Sequence, residues 1–225
     1  MIQLTQTAVH ASPDDIRKLA EEFEETGCAR LPGFLAPPIL KPMLDWLGEA
    51  RFEVRYEVHD GSVFGTTLSV PETERSLFLL HFILNRAELF KAVEQVARCP
   101  EIGNFRGRLH RTTAETNQHI DWHDDAVEAR TLGICINLSE DHYSGGVLQL
   151  RGPDLRMRAE VGRAPAGDAF LFRINCGWKH RLTPVDSGGR TVGVGWFRTA
   201  PDWREYALNV ARSRLILARD GEESR

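Results

Sequence analysis

The sequence has little of the material from which several simple architectures are built. Its four cysteines, at positions 28, 99, 135 and 176, form no CxxC pair and show no short regular spacing. Neither a zinc knuckle nor a disulfide framework is indicated, and the thiols are expected to be reduced and mostly buried. No run approaches the roughly 18 apolar residues of a membrane span. The N-terminal MIQLTQTAVHASPDD lacks the basic start and apolar core of a secretory signal, so a cytoplasmic protein without a membrane partner is expected. Lysine is scarce, 4 of 28 basic residues, a skew that reads as composition rather than function. Charge of one sign is missing too. The 28 basic and 32 acidic side chains leave a net charge of -4, which supplies no long-range attraction for a polyanion and disfavours nucleic acid as a partner.

What is present is a globular composition, 42% hydrophobic and 27% charged over 225 residues. A second catalytic domain of about 100 residues would leave too little chain for a well-buried first core, so residues 1–225 are expected to form one domain. Residues 12 to 26 predict a helix, with Ser12 as N-cap, Pro13 in the first turn and Gly27 as the stop. Pro37 and Pro38 open a second helix with Leu40, Met43, Leu44 and Leu47 on one side. FEVRYEV and SVFGTTLSV read as a hairpin, and 73–84 and 86–98 return to helical period. From about residue 103 the texture changes to short alternating runs. Strands are predicted at 105–112, 117–123, 130–138, 147–151, 156–161, 168–174, 178–183 and 190–198. Eight strands at this spacing predict a jelly roll or barrel, preceded by helical support and a hairpin over 1–100 and closed by a helix from Asp202 to about Ala218.

Two segments carry chemistry. In QHIDWHDD, residues 118–125, His119, Asp121, His123 and Asp125 share one parity and would face one side of a strand. A His and an Asp two apart can grip one metal ion. A strand rises about 3.3 Å per residue, which sets His119 and His123 roughly 13 Å apart, so only one of the pairs His119/Asp121 and His123/Asp125 can serve a given metal. The second pair stands only five residues before Arg130, where the next strand begins, and is the favoured one. In HRLTPVDSGGRTVGVGWF, His180 and Arg190 flank a Pro184 and Gly188-Gly189 turn and can sit on paired strands. Arg190, Val192, Val194 and Trp196 then share a face, while Gly193 and Gly195 leave the other bare. An arginine aimed into an apolar barrel requires an anion; taken alone, the segment reads also as a surface arginine at the strand's mouth.

Two histidines, one carboxylate and an arginine on a jelly roll make up the facial-triad arrangement of non-haem Fe(II) sites. With FEETGCARLPGFL, ARTLGICINLS, YSGGVLQL and APAGDAFLF in order around them, the chain resembles the Fe(II)- and 2-oxoglutarate-dependent dioxygenases, nearest in pattern to the prolyl-hydroxylase-like branch. The resemblance implies a double-stranded β-helix of the cupin type. It further implies His123, Asp125 and His180 as iron ligands and Arg190 as the clamp for the far carboxylate of 2-oxoglutarate, with O2 as co-substrate. Val192, Asn137 and His110 would lie beside the 2-oxoglutarate, Asn137 standing where many relatives carry a tyrosine. Hydroxylation of an amino acid, a peptide or protein residue or a small metabolite, with release of succinate and CO2, is the implied reaction.

Around that reading, Cys135 and Trp178 share faces with site residues and are placed equally well by packing. Gly145 and Gly146 read as turn residues. The hairpin over 52–71, with Arg51 beside it and Arg55, Tyr56 and His59 within it, is the candidate substrate flap. Two other functions stay open: a cupin-like metal-dependent isomerase or hydrolase, which has no use for Arg190, and a non-catalytic jelly-roll binding domain. The nucleic-acid demethylase branch places further arginines after its distal histidine, a pattern absent from RTVGVGW.

Overall fold

The computed structural model describes residues 1–59, 62–116, 118–127 and 129–199; the helix expected from Asp202 lies outside them. The chain opens with β1 (Gln3–Leu4) and β2 (Val9–His10), then α1 (Pro13–Thr26), β3 (Cys28–Leu31) and α2 (Pro37–Glu49). A hairpin of β4 (Glu53–His59) and β5 (Ser62–Ser69) follows, then α3 (Arg75–Leu84) and α4 (Ala87–Ala97). The remainder is β6 (Asn104–Thr113), β7 (Ile120–His123), β8 (Arg130–Asn137), β9 (Ser144–Gly145), β10 (Leu148–Arg151), β11 (Met157–Val161), β12 (Ala169–Arg173), β13 (Lys179–Leu182), β14 (Val185–Ser187) and β15 (Gly189–Arg198). Each of the eight strands predicted after residue 103 has its counterpart, and the four helices predicted before residue 100 are present.

Local chemistry sets the helix ends. Ser12 Oγ accepts from the Asp15 amide at 3.1 Å, and Gly27 stops α1 in the left-handed conformation with φ of 70°, the N-cap and C-terminal signals at work. The buried face of α1 consists of Leu19, Ala20 and Phe23. Burying a side chain the size of phenylalanine stabilises by about 1.5–3 kcal/mol.

Eleven strands form one antiparallel sheet in the order β11-β10-β13-β7-β5-β6-β15-β8-β12-β3, with β4 paired to β5 off that path, while β1-β2 and β14-β9 pair separately. It curls into a nearly closed jelly roll. Its long arm, β6-β15-β8-β12-β3, alternates faces strictly. Leu109, Ile134, Ile136, Leu171 and Phe197 join the helices in one core, while Cys135, Phe170, Phe172 and Val192 face inward to a second, smaller core. The face of β15 left bare by Gly193 receives Leu80 of α3.

Two features differ from the sequence reading. The first hundred residues supply barrel strands as well as scaffold, because β3 pairs with β12 and β5 pairs with both β6 and β7. The strand expected over 117–123 begins only at Ile120. Before it, the chain turns tightly out of β6, and Gln118 Oε1 accepts from the Thr113 amide at 3.3 Å instead of the ladder continuing.

Phe197 fixes β15 to the helices, with its ring 6.1 Å from Phe90 and 5.4 Å from Phe105. Phe197→Ala is expected to cost about 3–5 kcal/mol, as large core truncations do, measured by urea unfolding.

Candidate metal centre and its cavity

The pairing of β7 with β13 sets His123 directly opposite His180, with ring centroids 4.2 Å apart. Asp125 was expected on the same strand face as His123. Instead β7 ends at His123, and the chain bends so that Asp125 reaches back from the loop. Its Oδ2 lies 3.2 Å from His180 Nε2 and its Oδ1 3.8 Å from His123 Nε2. One ligand atom from each of the three residues lies within 4.8 Å of the others, a set able to hold one divalent ion by two imidazoles and a carboxylate.

The surroundings orient these donors. His123 Nδ1 lies 2.7 Å from the Asp121 carbonyl. A carbonyl can only accept, so Nδ1 carries the proton and Nε2 keeps its lone pair for a metal. Trp196 Nε1 donates to Asp125 Oδ2 at 2.7 Å, and Arg130 Nη1 lies 3.6 Å from Oδ1 while stacking on the Trp196 ring at 3.8 Å. Burial alone would raise the Asp125 carboxyl; the facing His180, then His123, and the Trp196 N–H outweigh it and hold it well below the usual carboxylate range. Phe64 of the hairpin packs on His123 and Phe172 on His180.

His119 and Asp121 do not join this cluster. Their side chains are 37% and 66% exposed, against 10% and 15% for His123 and Asp125. They form their own contact, His119 Nε2 to Asp121 Oδ1 at 3.7 Å.

The cluster lines an open cavity of about 790 Å³ that also takes in His110, Thr112, Cys135, Arg190, Val192 and Val194. Arg190 is buried. Its Nη2 donates to Cys135 Sγ at 3.3 Å, and it lies beside the buried Tyr143, whose hydroxyl is pushed up by desolvation and drawn back by this guanidinium. No carboxylate among the described residues lies within ion-pair distance of Arg190. Gly146, at φ of 58°, makes room for it: a Cβ there would sit 2.8 Å from Arg190 Cδ. A buried cation without a protein counter-ion is stable only with an anion beside it.

Asn137 lies opposite Val192 in the β8–β15 pairing but outside the cavity lining. Its Nδ2 donates to the Ala164 carbonyl at 2.6 Å and its Oδ1 accepts from Ser139 Oγ at 3.0 Å, so the amide is committed to the scaffold. Trp178 is likewise absent from the lining and lies against Gly27. Sequence reasoning missed Thr112 and Tyr143. Thr112 sits opposite Arg190 in the β6–β15 pairing, and its Oγ1 has no hydrogen-bond partner among the described residues. Strand parity with His110 was the available signal. Tyr143 lies outside regular structure, where no periodicity marks it. Of the expected flap, Glu57, Phe64 and Thr67 line the cavity, whereas Tyr56 faces outward and Arg51 is exposed; the side chain of His59 lies outside the described residues.

Comparison with known proteins agrees with this geometry. Residues 107–198 match the 2OG-Fe(II) oxygenase superfamily, as the sequence resemblance implied. A PKHD-type hydroxylase of Synechococcus sp. (strain CC9605) is 32% identical over 119 residues, covering 48% of this chain and 51% of that protein. The chain therefore spans about half the length of this curated relative. Among solved structures, a 2OG-Fe(II) oxygenase family oxidoreductase from Burkholderia pseudomallei superposes with a TM-score of 0.62 at 16% identity, covering 85% of this chain and 94% of that one. A Pseudomonas putida prolyl-4-hydroxylase gives 0.60 at 16% identity, covering 82% and 99%. These two share the fold.

Two predictions follow from the cluster and its cavity. Isothermal titration with Fe(II) under anaerobic conditions is expected to show metal binding retained in His119→Ala and lost in His123→Ala; the reverse would move the site to the other pair. His110 is pushed down to about 3 by burial, with Arg108, Arg55 and Arg190 adding to the effect. The unfolded chain takes up this proton near pH 6.5 and the native state only near pH 3. Stability is therefore lost as pH falls through that window, by up to about 1.4 kcal/mol per pH unit. In urea unfolding at pH 7, 6 and 5, His110→Gln is expected to lack this part of the slope.

Proposed function

We propose that this chain is an Fe(II)- and 2-oxoglutarate-dependent oxygenase, the chemistry of the superfamily its residues 107–198 match. The observation that carries the reading is the conjunction, in one cavity, of the His123, Asp125 and His180 donors with a buried Arg190 that has no carboxylate partner among the described residues. The triad would hold the metal by three protein atoms, leaving the remaining positions for 2-oxoglutarate and O2. Bound there, iron and the keto acid supply an oxidant for an unactivated C–H bond, with succinate and CO2 as co-products.

The protein's own part is binding and orientation. Arg190 meets the distal carboxylate of 2-oxoglutarate, a bidentate task for which guanidinium is suited. Thr112, opposite it, offers its unpartnered hydroxyl to the same group. Val192 and Val194 give the keto acid an apolar wall. Trp196 and Arg130 keep the Asp125 carboxylate turned toward the two histidines, and the Asp121 carbonyl does the same for His123. The hairpin side chains Glu57, Phe64 and Thr67 form the side of the cavity where a substrate would be met.

Hydroxylation of an amino acid, a peptide residue or a small metabolite is the outcome this arrangement suits. Arg190 disfavours a cupin-like isomerase or hydrolase, which would leave its charge without a task, and three converging donors disfavour a silent binding domain. No helix among the described residues is long and apolar enough to cross a membrane. The four cysteines are free, which suits a reducing cytoplasm where iron stays ferrous.

Anaerobic addition of Fe(II) and then 2-oxoglutarate is expected to produce the visible metal-to-ligand charge-transfer absorption of a chelated keto acid. Arg190→Ala is expected to raise the 2-oxoglutarate concentration needed by roughly ten- to a hundredfold, the loss of a charge-assisted pair. A folded protein that binds Fe(II) but gives no absorption overturns the proposal.

A further inference from the structure

The keto-acid site uses one arginine, yet the cavity holds a second. Arg108, His110 and Thr112 alternate along the cavity face of β6. Through the β6–β15 pairing Thr112 lies opposite Arg190 and Arg108 lies opposite Val194. Four residues of strand separate these positions, roughly 13 Å, so the two guanidiniums serve different groups.

Arg108 is poorly satisfied where it stands. Its single hydrogen bond to a described residue is a long one, Nη1 to Glu57 Oε2 at 3.5 Å, and its guanidinium lies 5.3 Å from the centre of the Trp196 ring. Glu57 is already shared. Its Oε1 accepts from Arg55 Nε at 3.2 Å and from Thr67 Oγ1 at 3.4 Å. One carboxylate between two guanidiniums leaves a surplus positive charge, while Asp125 is committed to the metal cluster. Between the two arginine positions His110 is buried, and its Nε2 has no hydrogen-bond partner among the described residues. A built cavity with a guanidinium only weakly paired to a shared carboxylate and an imidazole nitrogen unpaired among the described residues has room and charge for a ligand.

Resting on the oxygenase reading above, we infer that Arg108 is a specificity residue that binds a carboxylate of the substrate, which is a small organic acid or amino acid. A single surplus charge matches a monoanion. The distance from anchor to reaction centre is short, because the same Trp196 indole that lies beneath Arg108 donates to Asp125. The oxidised C–H bond therefore lies within about one indole's breadth of the recognised carboxylate, which excludes substrates whose only anion is remote.

The test uses the protein loaded with 2-oxoglutarate and Zn(II), a redox-silent metal, for calorimetric binding, and the Fe(II) form for succinate release. The probes are free carboxylic and amino acids, their primary amides, and short peptides carrying the same carboxylate. Free acids are expected to bind at least about tenfold more tightly than their amides and to stimulate succinate release. Arg108→Met is expected to weaken acid binding roughly ten- to a hundredfold and to abolish the preference. Glu57→Gln, which removes the competing carboxylate, is expected to tighten acid binding, a gain that damage to the fold would not produce. Equal response to acids and amides, a silent panel, or an unchanged preference in Arg108→Met overturns the inference if the keto-acid absorption forms normally. Preference for the peptide-borne carboxylate overturns its small-acid part. Absence of the keto-acid absorption itself marks failure of the oxygenase reading instead.

Discussion

A guanidinium buried in a barrel with no carboxylate beside it among the described residues is the constraint around which the site is arranged. Arg190 stands buried beside a thiol and a phenol, neither of which neutralises it. The barrel accommodates it by bringing Tyr143 and Cys135 alongside and by placing Gly146 where a side chain would collide with it. An interior charge of this kind costs several kcal/mol when left uncompensated. One end of the cavity is therefore positively charged, and the His123, Asp125 and His180 cluster lines the same space.

Those donors are positioned by backbone pairing more than by side-chain contact. His123 and His180 face each other because β7 and β13 are in register at that point, and the rigidity of the ladder passes to the imidazoles. Asp125 has no strand to hold it. It is kept in place by the Trp196 N–H and by Arg130 stacked on the same indole, so β15 supplies both the buried arginine at one end and the brace for the carboxylate at the other.

Most of the barrel was legible in the sequence because its strands alternate cleanly and are separated by turn residues. The ordering of His123, Asp125, His180 and Arg190 was legible for the same reason. Strand parity also places Val192 in the cavity, and the structure finds it there together with His110 of β6. Parity failed where the chain leaves regular structure. It placed Asp125 on a strand that ends two residues earlier, and it gave no hint of Tyr143. It set Asn137 on the right side of β8 but could not show that the amide would be spent on Ala164 and Ser139. Long-range pairing was the other gap. Nothing local in SVFGTTLSV says that β5 will bridge β6 and β7, or that Gly65 is needed because a Cβ there would collide with the His119 carbonyl.

The Trp196 indole is shared by three charged neighbours. Its N–H holds Asp125, Arg130 stacks on its ring, and Arg108 lies over it from the side of the mouth. Groups that share one partner are thermodynamically coupled, and the effects of changing them do not sum. Exchanging Arg108 is therefore expected to be felt at Asp125, and exchanging Asp125 at Arg108. A substitution on this side of the cavity is compatible with the cluster only where the indole can still donate to the carboxylate behind it.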